Sequence, residues 1–208
     1  MSVNRNIIVK KFLIGIFALV LLQFSCVYAA TNPSITYYNQ GVAYHDQKKY
    51  DLSIKYYKKA LALNPNFFEA NYNLGICYNM QGKTDLAVNY FSKALSIHPK
   101  DGKARHNLLY ALCKLGNNMV IKGQNQEAIK VFNRAVSIDS NYSDAYELLG
   151  LAYIKTQDYE QAIKNLQKVL KLDPNNATAK HNLQVAYEKK QEKELDKNIN
   201  NLVIKSYA

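Results

Sequence analysis

Residues 56–66 read YYKKALALNPN, residues 90–100 YFSKALSIHPK, residues 131–141 VFNRAVSIDSN and residues 166–176 LQKVLKLDPNN. These four stretches belong to one pattern. Ala60, Ala94, Ala135 and Val169 stand 34, 41 and 34 residues apart, and Pro65, Pro99, Ser140 and Pro174 keep the same spacing. Working outward, Gly41, Gly75, Gly116 and Gly150 repeat it a third time. Three independent columns under one spacing rule define an internal repeat. Proline lacks an N–H and ends the second helix of a unit. Small pairs such as Gly75 with Ala87, or Gly150 with Ala162, let two helices approach closely while aromatic residues fill the space between units. One unit alone cannot bury its apolar stripe, so stacked neighbours must supply the core.

The residues resemble the tetratricopeptide repeat family, whose unit is a helix-turn-helix of about 34 residues. Unit one (34–67) supplies Tyr37, Gly41, Tyr44, Tyr57, Ala60 and Pro65, and departs from the pattern at Gln40 and Ser53. Unit two (68–101) supplies Leu74, Gly75, Tyr78, Ala87, Phe91, Ala94 and Pro99. Unit three (102–142) matches at Leu115, Gly116, Ala128, Phe132 and Ala135, with Ser140 replacing proline. Unit four (143–176) supplies Tyr146, Leu149, Gly150, Tyr153, Ala162, Leu166 and Pro174. The resemblance covers residues 34–176, or 143 of the 208 residues, and no Trp occurs. It implies an all-α helix-turn-helix repeat solenoid wound as a right-handed superhelix. Residues 177–197, with Ala179, Leu183, Ala186 and Tyr187 on one side and Lys, Glu and Gln on the other, read as a polar-backed capping helix. Residues 198–208 read as a flexible tail.

Unit three carries seven extra residues, between Leu109 and Leu115. Seven residues make about two helical turns, so the apolar stripe drifts by only ~20°. With no Gly or Pro over residues 103–115, one long helix is expected, about 103–122. The competing expectation is a bulge or local unwinding.

The N-terminus has Arg5, Lys10 and Lys11, then an apolar run from Phe12 to Leu22 and small residues up to Ala29 and Ala30. These are the parts of a secretory signal peptide over residues 1–29, with cleavage expected between Ala29 and Ala30. Two alternatives stand beside it. The 19 residues from Phe12 to Ala30 reach the lower length of an uncleaved membrane anchor, and Cys26 after Ser25 suits a lipidated first residue. Under all three the rest of the chain is exported, with the periplasm as the expected location or, for the anchor, a position facing away from the cytoplasm.

The chain is 48% hydrophobic and 21% charged, enough to bury a core and unlike a disordered tail. Its net charge is +11, and loss of the leader leaves 24 bases against 16 acids, or +8. Nucleic acid is a disfavoured partner because it rests on that charge alone; an anionic membrane surface is a second candidate, through lysines on the second helices. Cys26, Cys77 and Cys113 form no CxxC and no Cys/His spacing that would hold a metal. There is no phosphate-cradling Gly loop, HExxH or GxSxG, so no enzyme, cofactor or metal is expected.

The resemblance implies a concave wall formed by the first helices, which holds a peptide or a partner's helix. Its positions fall on Ile35, Tyr38, Val42 and His45 in unit one, and on Glu69, Tyr72, Ile76 and Asn79 in unit two. Cys113, Asn117 and Val120 follow in unit three. Asp144, Glu147, Leu151 and Ile154 follow in unit four, and His181 and Val185 in the cap. Some family members clamp a terminal carboxylate with Lys, Asn and Arg; here only Asn73 fits that pattern, since Tyr38 and Val42 occupy the first pair. The expectation is a non-catalytic interaction scaffold of the cell envelope that binds a protein or peptide segment. The alternative is an envelope assembly factor held at the membrane by its N-terminal segment or its basic back.

Overall fold

The structure, a computed structural model, describes residues 32–206. The leader, with its expected cleavage at Ala29 and Ala30, lies outside the described residues. Within them the chain forms nine helices and no strand: α1 Pro33–Asp46, α2 Tyr50–Leu63, α3 Phe68–Met80, α4 Thr84–Ile97, α5 Gly102–Ile121, α6 Asn125–Ile138, α7 Ser143–Lys155, α8 Tyr159–Leu172 and α9 Ala177–Ser206. Each odd-numbered helix up to α7 packs on the next, and each even one packs on the first helix of the following unit. No described helix is long and apolar enough to cross a membrane.

Within every unit the helix pair is locked at the recurring glycine. A Cβ on Gly41 would lie 2.5 Å from the Tyr57 ring, on Gly75 2.6 Å from Phe91, and on Gly150 2.6 Å from Leu166. On Gly116 it would run into the Phe132 ring. Tyr57, Phe91, Phe132 and Leu166 are in turn fully buried. Ser53, the departure noted in unit one, is buried too, and its hydroxyl donates to the Gly41 carbonyl at 2.9 Å, so it fills a small site at no cost in unpaired polarity.

The turn inside each unit ends on a residue with positive φ: Lys48 at 58°, Gly82 at 74°, Gly123 at 77° and Gln157 at 59°. That conformation suits glycine and strains the other two. Helix starts are capped where the loops allow. Asp101 accepts from the Ala104 N–H at 2.7 Å and Asn176 from the Ala179 N–H at 2.8 Å.

The insertion is accommodated as one unbroken helix, α5, of 20 residues. Its first half buries Leu108, Leu109, Ala111 and Leu112 in the core shared with units one and two. Its second half sends Met119 and Val120 to a separate core built on Ala128, Ile129, Phe132 and Leu149. A third core joins Ala162, Leu166 and Val169 to Ala179 and Ala186 of α9.

Helix α9 does not stop at 197. It runs 30 residues to Ser206, so the segment expected as a flexible tail is helical within the described residues. The physical reason is local. No Gly or Pro interrupts it, and Gln184–Glu188, Lys189–Glu192 and Lys190–Glu194 pair at helical spacing. Lys190 also reaches Glu160 at 3.1 Å, and Lys193 donates to the Gln157 carbonyl at 3.0 Å, clamping α9 to unit four.

Candidate partner-binding wall

The first helices of units one to three are tied edge to edge by side chains. The Asn73 amide donates to the Tyr38 hydroxyl at 3.3 Å, and the Asn107 amide to the Tyr72 hydroxyl at 2.7 Å. The Lys114 ammonium donates to Asn79 Oδ1 at 3.2 Å. Each link joins residues 35 apart, one unit to the next. Both tyrosine rings are half-buried. Tyr38 packs on Phe67 and Tyr57 with ring centres 4.9 and 5.7 Å away, and Tyr72 on Phe91 and Phe68 at 5.8 and 6.0 Å. Burial pushes both hydroxyls above the ordinary phenol range. Glu69 adds to this at Tyr38 and Asp101 at Tyr72, while the asparagine bonds oppose it.

The remaining expected wall residues fall as follows. Val42, Ile76 and Leu151 are half-buried and leave part of each side chain open to solvent, while Asn79 is occupied by Lys114. His45 lies 3.7 Å from the Asp46 carboxylate and edge-on to Tyr50 at 5.7 Å. Glu147 accepts from the Asn176 amide at 3.3 Å, which links the wall to the start of α9. Asn117 and His181 are exposed. Cys113 is only 8% exposed: it packs against Ala145, Tyr142 and Leu148 of unit four and meets the wall only at the bottom of a hollow there. It does not pair with Cys77, which sits buried against Ser53.

Two wall residues escaped the sequence reading. Tyr110 is 49% exposed, and with Tyr142 it lines a hollow of 270 Å³ between α5 and α7. The signal was present: counted from the start of unit three, Tyr110 takes the place of Ile76. Counted from its end, that place belongs to Asn117. Inserting two turns gives the helix both registers.

On the other side, lysines of the second helices lie over aromatic rings. Lys59 stands 5.1 Å from both Tyr37 and Tyr56, Lys93 5.2 Å from Tyr90, and Lys168 5.7 Å from Tyr146.

Comparison with known proteins gives this architecture its family. Tetratricopeptide repeat profiles match residues 34–67 and 143–176, and another profile of the same repeat matches residues 66–141. The chain belongs to the tetratricopeptide repeat family. Proteins of this family bind protein or peptide partners and are generally non-catalytic, and the chain is accordingly a protein-interaction scaffold. No curated protein matches the sequence. Among solved structures, the MamA protein is similar at 26% identity, over 77% of this chain and 84% of its own, with a TM-score of 0.56. YrrB, a TPR protein with an unusual peptide-binding site, is similar at 23% identity over 81% of this chain and 83% of its own, with a TM-score of 0.55. A tetratricopeptide repeat protein from Parabacteroides merdae has 19% identity over 84% of this chain and 66% of its own, at a TM-score of 0.55. The last two are likenesses of fold.

Proposed function

We propose that the chain holds an extended or helical segment of a partner protein along the wall of first helices, outside the cytoplasm in the cell envelope. The observation that carries this reading is the run of half-exposed apolar and aromatic side chains, Tyr38, Val42, Tyr72 and Ile76, on first helices fixed to one another by side-chain bonds, which Leu151 continues in unit four. A wall that is rigid before binding loses little entropy when a ligand docks. Location in the envelope is supported by the basic and then apolar N-terminus. The test is affinity capture from a native envelope extract with the full chain, beside a Tyr72→Ala, Ile76→Ala version whose helicity is checked by circular dichroism. A protein retained by the first and lost from the second supports the reading. Equal retention by both moves the site off the wall.

A second reading, attachment to an anionic membrane surface, is favoured by one feature. Lys164, Lys168 and Lys171 surround a hollow of 270 Å³ beside Tyr146, with no carboxylate in its lining. Binding of the full chain to anionic liposomes that weakens with salt and with charge reversal at these lysines supports it.

A further inference from the structure

The links between first helices run from unit one to unit three and then stop. Among the described residues, no side-chain hydrogen bond joins α5 to α7. Twenty residues of α5 face the thirteen of α7, and the unmatched length opens the hollow lined by Tyr110, Cys113, Asn117, Tyr142, Asp144 and Leu148. Its floor is apolar, made by the buried Cys113 and the half-buried Leu148. Its walls carry two phenol rings. Its rim carries the exposed Asp144 carboxylate, which has no ion-pair partner among the described residues. The one cation on the lining, Lys114, is turned to unit two by its 3.2 Å bond to Asn79.

An apolar floor, aromatic faces and one free carboxylate are the complement of a long aliphatic stem ending in a cation. Resting on the reading that the wall holds a partner segment, we propose that this hollow takes a lysine or arginine side chain of that segment, with the stem between Tyr110 and Tyr142 and the charged head at Asp144. The local field has the right sign. The Cys113 thiol is pushed up to about 12 by burial and then by Asp144. The Tyr142 hydroxyl is also pushed up to about 12, by burial and then by Cys113, Asp144, Tyr110 and Asp139. The inserted two turns thus serve recognition, since a regular unit would close this gap.

The test uses random short peptides displayed on phage and selected on the immobilised full chain, with affinities of the selected peptides then read by fluorescence anisotropy. The expected result is a Lys or Arg fixed at one position. Changing that residue to Gln, or Asp144→Asn in the protein, weakens binding about tenfold. Lys114→Gln tightens it by removing a like charge, and Glu127→Gln, the charge change of Asp144→Asn placed on an outer helix, leaves it within about twofold. Peptides that bind, depend on Tyr72 and Ile76, yet show no basic position or ignore Asp144→Asn overturn this inference and leave the wall reading intact. A reversed sign, with Asp144→Asn tightening and Lys114→Gln weakening, overturns it in favour of an acidic side chain. If no peptide is selected whose binding Tyr72→Ala, Ile76→Ala removes, both readings fall.

Discussion

Asn107 donates its amide to the Tyr72 hydroxyl at 2.7 Å, from one repeat unit to the one before. Asn73 does the same for Tyr38, so a half-buried phenol is satisfied twice by the same device. Each bond serves two ends. It fixes the spacing of adjacent first helices, and it leaves the outer edge of the ring, with Ile76 beside it, available to a ligand. Asn107→Ala is expected to lower stability by about 1 kcal/mol, the net worth of one such bond. Tyr72→Phe in the Asn107→Ala background should cost much less than in the wild type, since the bond is already gone. Urea unfolding of the two single variants and the double variant measures this coupling.

Gly116 is the tightest of the helix contacts, its missing Cβ standing where the Phe132 ring lies. Gly116→Ala is expected to destabilise the chain by about 1–3 kcal/mol, because the ring is fully buried and has nowhere to move. In a Phe132→Ala background the same Gly116→Ala change should cost much less, because the ring that the new Cβ meets is gone. Thermal unfolding decides it: a Tm unchanged by Gly116→Ala contradicts the close packing.

Lys48 and Gln157 hold φ values of 58° and 59° at turns where units two and three use glycine. Gln157→Gly should therefore stabilise the chain by up to about 1 kcal/mol, relief of left-handed strain outweighing the entropy of glycine. Gly123→Ala should destabilise it by about 1 kcal/mol. Opposite signs of the two Tm changes are the readout.

Alkaline pH should unfold the chain earlier than its surface charge alone dictates. Cys113 has its thiol raised from 9.0 to about 12, and Tyr57 and Tyr142 have theirs raised from 10.0 to about 12, burial being the first cause in each. In the unfolded chain these groups lose their protons at the ordinary values, while in the folded chain they keep them. The unfolded state therefore binds fewer protons above pH 9, and stability falls with rising pH. The stabilisation is complete below pH 9 and is lost between about 9 and 12. Urea midpoints across that range test it, and Cys113→Ala should flatten the part nearest pH 9.

Much of this architecture could be read before any coordinates. The columns through Gly75, Ala94 and Pro99 mark the unit, because close helix contact and helix termination each admit few residue types. The long helix α5 could be read from the lack of any breaker over 103–115. What could not be read depends on neighbours in space. Asn107 reaches Tyr72 across a unit boundary, a partnership visible only once two first helices stand side by side. Tyr110 was hidden because the insertion offers two registers, and counting from the end of the unit selects Asn117. The helical end of α9 was hidden because its Asn-containing sequence has no core to face, Leu195, Ile199 and Leu202 being exposed. The absence of any Gly or Pro lets the helix that Lys190 and Lys193 hold to unit four continue to Ser206.

Site-specific photocrosslinking in the native cell reads directly whether a partner lies along the wall of first helices. A benzophenone side chain is placed at Asn79 on the wall and, separately, at Lys93 on the outer face. A partner seated on the wall gives a discrete crosslinked product from position 79 that is absent from position 93 and is lost when Tyr72→Ala and Ile76→Ala are added. A partner trapped from position 93 and not from 79 would contradict that placement.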